Sequence, residues 1–272
     1  MVKFVISCGF YALYWMGIAL QRLCGKRDLG TCVVLTYHDI ASEERVRFAR
    51  QMDTLLRYVR PVRADFGIPL PNGERCAAVT FDDGLVNFAE HVLPELEKRS
   101  IPATLFIVAG KLGEQADWAH DSYALNAVMT STQLREIADK VLIGSHTVTH
   151  PVLTLLGRTD AKRELKESRL TLERMLGRNV TLFSFPYGNY NEDLLEWCSE
   201  AGYRRVFTML PQIARSNTTK FVVGRVRADP TDWPLEFRLK LLGAYQWLPV
   251  VFAAKRWILV RLNGANGRTW CV

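Results

Sequence analysis

The sequence predicts an α/β protein built on parallel strands. Seven short apolar runs fall at 32–37, 77–81, 103–108, 141–144, 181–185, 204–208 and 221–226. Five segments of helical character, 43–59, 85–99, 131–139, 160–176 and 191–201, alternate with them. Such alternation is the mark of parallel strands joined by helical crossovers. At 272 residues and 49% apolar content, the chain has material for one sizeable domain plus appendages. A closed barrel and an open doubly wound sheet both fit the pattern.

The first appendage is residues 1–27. Positions 4–20 carry no charge; Lys3 precedes them and Arg22, Lys26 and Arg27 follow. The run is at the short end for a membrane span. No small-x-small cleavage site stands before Arg22, and Arg22-Leu23 before Cys24 is a poor lipoprotein site. An uncleaved anchor or interfacial helix is expected, in preference to a buried core helix. Residues 28–235 form the main domain. Within it, the first run ends in Tyr37-His38-Asp39, the second in Thr80-Phe81-Asp82-Asp83-Gly84, and the last helix starts at a plausible N-cap, Asn191. Residues 236–272 are basic and apolar. Leu241 to Ala254, flanked by Arg238, Lys240, Lys255 and Arg256, contains Pro249 and is too short to span a bilayer comfortably. It reads either as a segment lying on anionic lipid or as a buried closing helix.

The formal charge of +7 admits nucleic acid, an anionic membrane or an acidic substrate as partner. No nucleic-acid motif is present, and much of the basic charge flanks the apolar ends, which points to a membrane surface. Cys8, Cys24, Cys32, Cys76, Cys198 and Cys271 show no paired spacing, so neither a disulfide framework nor a cysteine metal cluster is expected.

Two stretches carry chemistry. Asp82 and Asp83 close an apolar run. Adjacent carboxylates repel, so one ionises less readily unless a cation intervenes. The pair suits one acid on a metal and one left free as a base; a strand ending in a turn is the plainer reading. His146 and His150, after a second apolar run, are four apart, one helical turn, so their rings can converge on one ion. With Asp83 they would make a two-histidine, one-carboxylate site with open positions. Capping or solvated histidines are the alternative.

These residues resemble the polysaccharide deacetylases of the NodB-homology type. Thr80-Phe81-Asp82-Asp83-Gly84 is similar to the family's first motif and His146-Thr147-Val148-Thr149-His150 to its second. Phe183 to Gly188 resembles the third, and Asp229-Pro230-Thr231-Asp232-Trp233 loosely the fourth. The resemblance spans roughly residues 31–235. It implies a distorted (β/α) barrel of seven parallel strands, with chemistry where strands end. It implies that Asp83, His146 and His150 bind one divalent metal ion, zinc by the donor set, with cobalt or nickel on the same atoms. Asp82 would be the base, and the Tyr187 backbone N–H would help hold an oxyanion. Pro186 and Tyr187 would wall a sugar groove, although a plain turn needs no more than Pro and Gly. Trp233 would line an acyl pocket or sit in the core. The segment Gly113–Thr130, with Trp118, His120 and Tyr123, would be a rim loop stacking on sugar or an insertion packed on itself.

Two departures from the family's pattern stand out. No histidine lies beyond His150 to protonate the leaving amine. His38 is the candidate replacement; an early Tyr-His resembles the exopolysaccharide-modifying branch. Its ring is expected across the site from Asp82, facing the same cleft. Ser184 stands where many members carry an arginine that orients the base. Arg225 could reach Asp82 from another direction, or be a solvated cation. The reaction so implied is metal-dependent removal of N-acetyl groups from hexosamine in a glycan or lipid-linked sugar. An O-acetyl esterase and a silent glycan-binding protein are the alternatives; a free Asp82 beside Asp83 argues against silence. The membrane side stays open: the basic flanks and unpaired cysteines lean cytoplasmic, the family's habit extracytoplasmic.

Overall fold

The computed structural model describes residues 6–13, 16–17, 30–67, 70, 73–118, 127–215, 221–249 and 251. Its apolar runs pair side by side in one mostly parallel sheet. β1 (Thr31–Tyr37), β3 (Arg75–Phe81), β4 (Ala103–Ile107), β5 (Leu142–Ser145), β6 (Leu182–Ser184) and β7 (Arg205–Thr208) follow one another, each parallel to the next. β9 (Val222–Gly224) pairs with β7, and β10 (Val226–Arg227) with the other side of β1. These last two strands are halves of one stretch, parted only by Arg225. The eight-strand path therefore bends round until its edges nearly meet, which excludes the open sheet. Every expected strand position holds a strand. The sequence reading missed β2 (Arg60–Val62), parallel on β3, and β8 (Ile213–Arg215), antiparallel on β1. At three residues each, they are too short to show periodicity.

Helices cover the barrel: α1 (Arg45–Tyr58), α2 (Leu93–Glu97), α3 (Ser131–Ile137), α4 (Arg158–Leu176), α5 (Glu192–Glu200) and α6 (Pro234–Leu241). Local signals set their ends. Asn191 caps α5 by accepting from the Leu194 N–H at 2.9 Å, and Thr130 and Gln133 form a capping box on α3. α4 stops at Gly177, whose φ of 64° takes the left-handed conformation of a helix C-terminus. The expected helix at 85–99 is instead a π-helical stretch, Phe88–Val92, running into α2 with Pro94 in the first turn.

Strand alternation sorts the core into two layers. On β1, Val33, Leu35 and Tyr37 face the helices, while Cys32 and Val34 join Ala78, Phe106, Leu182, Phe207 and Val223 inside the barrel. Both faces are buried, so β1 reads as a continuous apolar run. Near the strands' C-terminal ends the inner layer turns polar: Thr36, Thr80, Ser184 and Arg225 are fully buried. Beneath them Phe106 fills the barrel against Gly144, where a Cβ would meet its ring at 2.5 Å.

The start of the 236–272 segment belongs to the barrel's outer layer. α6 packs on α1 and buries Phe237, Leu239 and Leu241. No described helix is long and apolar enough to cross a membrane. His120, Tyr123, most of 14–29 and all of 252–272 lie outside the described residues.

Gly144→Ala should overpack the barrel centre and cost about 1–3 kcal/mol, read as a lower denaturant midpoint with an unchanged slope. A variant as stable as the parent would show that Phe106 has room to move.

Candidate active site

The register between β1 and β3 builds half of the site. Tyr37 lies opposite Phe81, and the Asp82 N–H donates to the Tyr37 carbonyl at 3.1 Å. The next residues, His38 and Asp82, are thus brought abreast at the open end. His38 Nε2 lies 3.9 Å from Asp82 Oδ2. The expected place for His38, across the site from Asp82, is not the one found. Adjacent parallel strands in register put equivalent positions side by side, and the sequence does not show which strands are neighbours.

Arg225 is not solvated. It is completely buried at the seam between β9 and β10 and grips Asp82 with two parallel bonds, Nη1 to Oδ1 and Nη2 to Oδ2, both 2.7 Å. Nη2 also donates to Ser184 Oγ at 2.8 Å, and Nη1 to Thr80 Oγ1 at 3.2 Å. Its guanidinium lies over the Phe106 ring, 5.5 Å from the centroid. Burial alone would raise the Asp82 carboxyl; the Arg225 charge, with His146, overcomes this and holds it well below the usual range. Burial lowers His38, against the pull of Asp82, so it is neutral at neutral pH although a third of its side chain reaches solvent.

The other half is a loop, not the helical turn that the His146–His150 spacing suggested. After β5, residues 146–150 have no helical structure, and Thr147 and His150 take φ of 72° and 59°. A β-branched residue in that region is strained. Glu164 on α4 holds the loop: its carboxylate accepts from the Val148 N–H (2.7 Å), the Thr149 N–H (3.0 Å) and the Thr149 hydroxyl (2.8 Å). The Thr147 hydroxyl bonds the His146 carbonyl and accepts from the His150 N–H. Asp83 and Tyr187 also have positive φ, 71° and 59°, so among the described residues four of the five non-glycine residues of this kind sit at the site.

The outcome is a triad. Asp83 Oδ1 lies 3.7 Å from His146 Nε2 and 3.4 Å from His150 Nε2, and one donor atom from each residue falls within 4.8 Å of the others. His146 Nδ1 donates to the Ser184 carbonyl at 2.8 Å, which leaves Nε2 as an acceptor facing Asp83. Burial, then the charge of Asp82, pushes the Asp83 carboxyl up to about 7. Burial lowers both histidines, His150 to about 2. Two neutral imidazoles beside a carboxylate whose charge is costly here suit a divalent cation. The donor set fits one ion with positions left open.

Aromatic rings wall the triad. Trp118 stacks on His150 at 4.7 Å and its indole N–H donates to Asp83 Oδ1 at 3.2 Å. Tyr187, half exposed, meets His150 edge-on at 4.9 Å, beside the buried Pro186. Trp118 therefore touches the triad itself. Trp233 is 68% exposed on the loop after β10, at the same end of the barrel, and is not a core residue. The sequence reading missed Glu164 and Thr80. Nothing local marks a glutamate in a solvated helix as the anchor of a loop.

Together these features define a class: a near-closed parallel α/β barrel with a clamped carboxylate and an Asp-His-His triad at the strands' C-terminal ends. The family model for polysaccharide deacetylase matches residues 70–206, half of the chain, and the chain belongs to that family. YxkH of Bacillus subtilis is 26% identical over 209 residues, 72% of this chain and 71% of that protein. The poly-beta-1,6-N-acetyl-D-glucosamine N-deacetylase of Staphylococcus aureus is 24% identical over 163 residues, and the match spans 56% of this chain and only 54% of that enzyme. Among solved structures, IcaB from Ammonifex degensii superposes with a TM-score of 0.67 at 26% identity, over 79% of this chain and 97% of that one. The Streptococcus pyogenes deacetylase PplD, at 21% identity and a TM-score of 0.65 over 78% of this chain and 98% of that one, shares the fold.

Arg225→Met should reverse the pH dependence of stability that Asp82 contributes. With Arg225 present, the native pKa is below the unfolded value of about 3.9. The pairing then stabilises fully above that value and is lost as the pH falls through the native pKa. Without Arg225, burial, the largest influence, is opposed only by His146 and His38 and raises the pKa, so the variant loses stability as pH climbs from about 4. At pH 7 the unpaired buried charge should cost about 3–5 kcal/mol. Urea unfolding across pH 4–8 checks this. Parallel curves for parent and variant would mean that Arg225 does not hold Asp82.

Proposed function

We propose that this chain hydrolyses N-acetyl groups from hexosamine units of a glycan or lipid-linked sugar. The observation that carries the reading is Asp82: a carboxylate fixed as an anion by Arg225, next to His38 on one side and the Asp83-His146-His150 triad on the other. A protein that only bound glycan would not need a buried charged base beside a cation site. Family membership supports deacetylation. The similarity to an enzyme named for N-deacetylation of poly-beta-1,6-N-acetyl-D-glucosamine supports an amide substrate on a polysaccharide.

Asp83, His146 and His150 would hold one divalent ion, zinc by preference, with cobalt or nickel suited to the same atoms. When bound, such an ion supplies Lewis acidity toward the acetyl carbonyl and a more acidic water. The chain's own residues do the rest. Asp82 accepts the proton of the attacking water. The Tyr187 backbone N–H faces the developing oxyanion and Trp118 fixes the Asp83 oxygen. Pro186 and Tyr187 would wall the groove that takes the sugar, and Trp233 would line the acyl pocket. His38, 3.9 Å from Asp82 and partly open to solvent, delivers a proton to the leaving amine.

Purified protein should contain about one divalent ion per chain and release acetate from N-acetylglucosamine oligomers. His146→Ala and His150→Ala should lose ion and activity together. Asp82→Asn should keep the ion and lose turnover. His38→Ala should keep the ion and lose about 10²–10⁴-fold on the amide but far less on an activated ester, whose leaving group needs no proton. Equal losses on amide and ester would remove His38 as the acid. Acetate release only from O-acetylated glycans would make the chain an esterase.

A further inference from the structure

We propose that the helix at residues 6–13 and the 239–251 stretch form one unit that seats the barrel on an anionic lipid surface. The two segments lie at opposite ends of the chain but pack together. Leu239, Ala244, Tyr245 and Leu248 form a cluster with Cys8, Tyr11 and Trp247. The Trp247 indole N–H donates to Ser7 Oγ at 2.9 Å, and Ser7 is fully buried. One side of the N-terminal helix, bearing Ser7, Cys8 and Tyr11, is thereby taken.

The other side is apolar and uncovered. Ile6, Leu13 and Met16 are 45%, 65% and 56% exposed, and spacings of seven and three put them on one helical face. A helix lying on a water-facing surface carries polar groups on its outer side; from Gly9 to Leu13 this one has none apart from the Tyr11 hydroxyl. Val251, 47% exposed, adds to the apolar surface from the other segment.

Charge identifies the occupant. All 28 acidic residues of the chain fall between Asp28 and Glu236. Neither 1–27 nor 237–272 contains one, while Lys3, Arg22 and Lys26 at one end and Lys255, Arg256 and Arg261 at the other supply cations. Glu236, which accepts from the Tyr245 hydroxyl and pairs with Lys240, is an acid bonded to the cluster. Exposed apolar side chains on segments whose flanking sequence is cationic match an anionic bilayer surface rather than a protein interface, whose core is depleted of charge of either sign. No helix among the described residues is long and apolar enough to cross a bilayer. Leu239 belongs to α6, which starts one loop after β10, and Trp233 and Leu235 are exposed there, at 68% and 50%.

Flotation of the full-length protein with vesicles tests this without reference to catalysis. Phosphatidylcholine vesicles containing phosphatidylglycerol should bind at least about tenfold more tightly than phosphatidylcholine alone, and the difference should shrink in high salt. Leu13→Glu, an exposed position that cannot disturb the barrel, should abolish most of the binding. Trp247→Ala should weaken it as well, with the thermal transition of the barrel kept. Equal binding to neutral and anionic vesicles, or full binding by Leu13→Glu, overturns the lipid surface. Full binding by Trp247→Ala overturns the joint unit and leaves the N-terminal helix acting alone. Resistance to alkaline carbonate would show a spanning segment instead, and a detergent-free dimer that Leu13→Glu dissociates would make a second copy the occupant.

Discussion

The buried pair between Arg225 and Asp82 is the interaction on which the site depends. An isolated charge inside a barrel is prohibitively costly, so each partner requires the other and both require hydrogen bonds for their remaining atoms. Thr80 and Ser184 accept from the two Nη groups, Nε is left buried without a partner, and Phe106 lies beneath the guanidinium. The pair also coincides with barrel closure. Arg225 is the single residue between the strand that pairs with β7 and the strand that pairs with β1. Fixing its side chain on Asp82 ties the last strand to β3 across the barrel interior. A bidentate arginine suits this, since its planar fork matches a carboxylate and it never loses its charge. Ser184 completes the arrangement. A small side chain there leaves space for a guanidinium arriving from another strand and still accepts one of its bonds.

Around this fixed pair the backbone is strained, and the strain is local. Asp83, Thr147, His150 and Tyr187 take left-handed conformations that their side chains disfavour. Something must pay for that. For the histidine loop it is Glu164, three hydrogen bonds from a rigid helix, with the Thr147 hydroxyl closing the turn. A helical turn through 146–150 would also bring the two rings near each other. The loop does more: it lets His146 continue the inward stripe of β5 while His150 returns over it, 4.9 Å between ring centroids.

The same logic explains why His38 lies beside Asp82. β1 and β3 are neighbours in parallel register, so the residues that follow Tyr37 and Phe81 emerge together. Proximity brings an anionic carboxylate and a neutral imidazole to 3.9 Å, the imidazole pKa lowered by burial and the carboxyl held low by Arg225 against burial.

What the sequence determined by itself was the local chemistry. Apolar runs ending in Asp82-Asp83 and in His146 marked strands that finish in donors, and their alternation with helices marked parallel pairing. Strand parity, a period of two, put His38, Asp82 and Ser184 on the same faces as Val34, Ala78 and Leu182; that these faces are the inner ones only the barrel showed. Asn191 and Gly177 fixed helix ends through backbone preferences that need no distant partner. Only the tertiary structure decided barrel over open sheet, because closure depends on which edges meet, and the two halves of 222–227 pair with different strands. It alone placed Arg225 on Asp82, 143 residues apart, and Glu164 under the histidine loop. It alone joined Ser7 to Trp247, 240 residues away. Such contacts leave no periodic trace in the chain. They arise when the sheet's register and curvature bring remote side chains within a few ångströms, where burial makes an unpaired polar group too costly to leave alone.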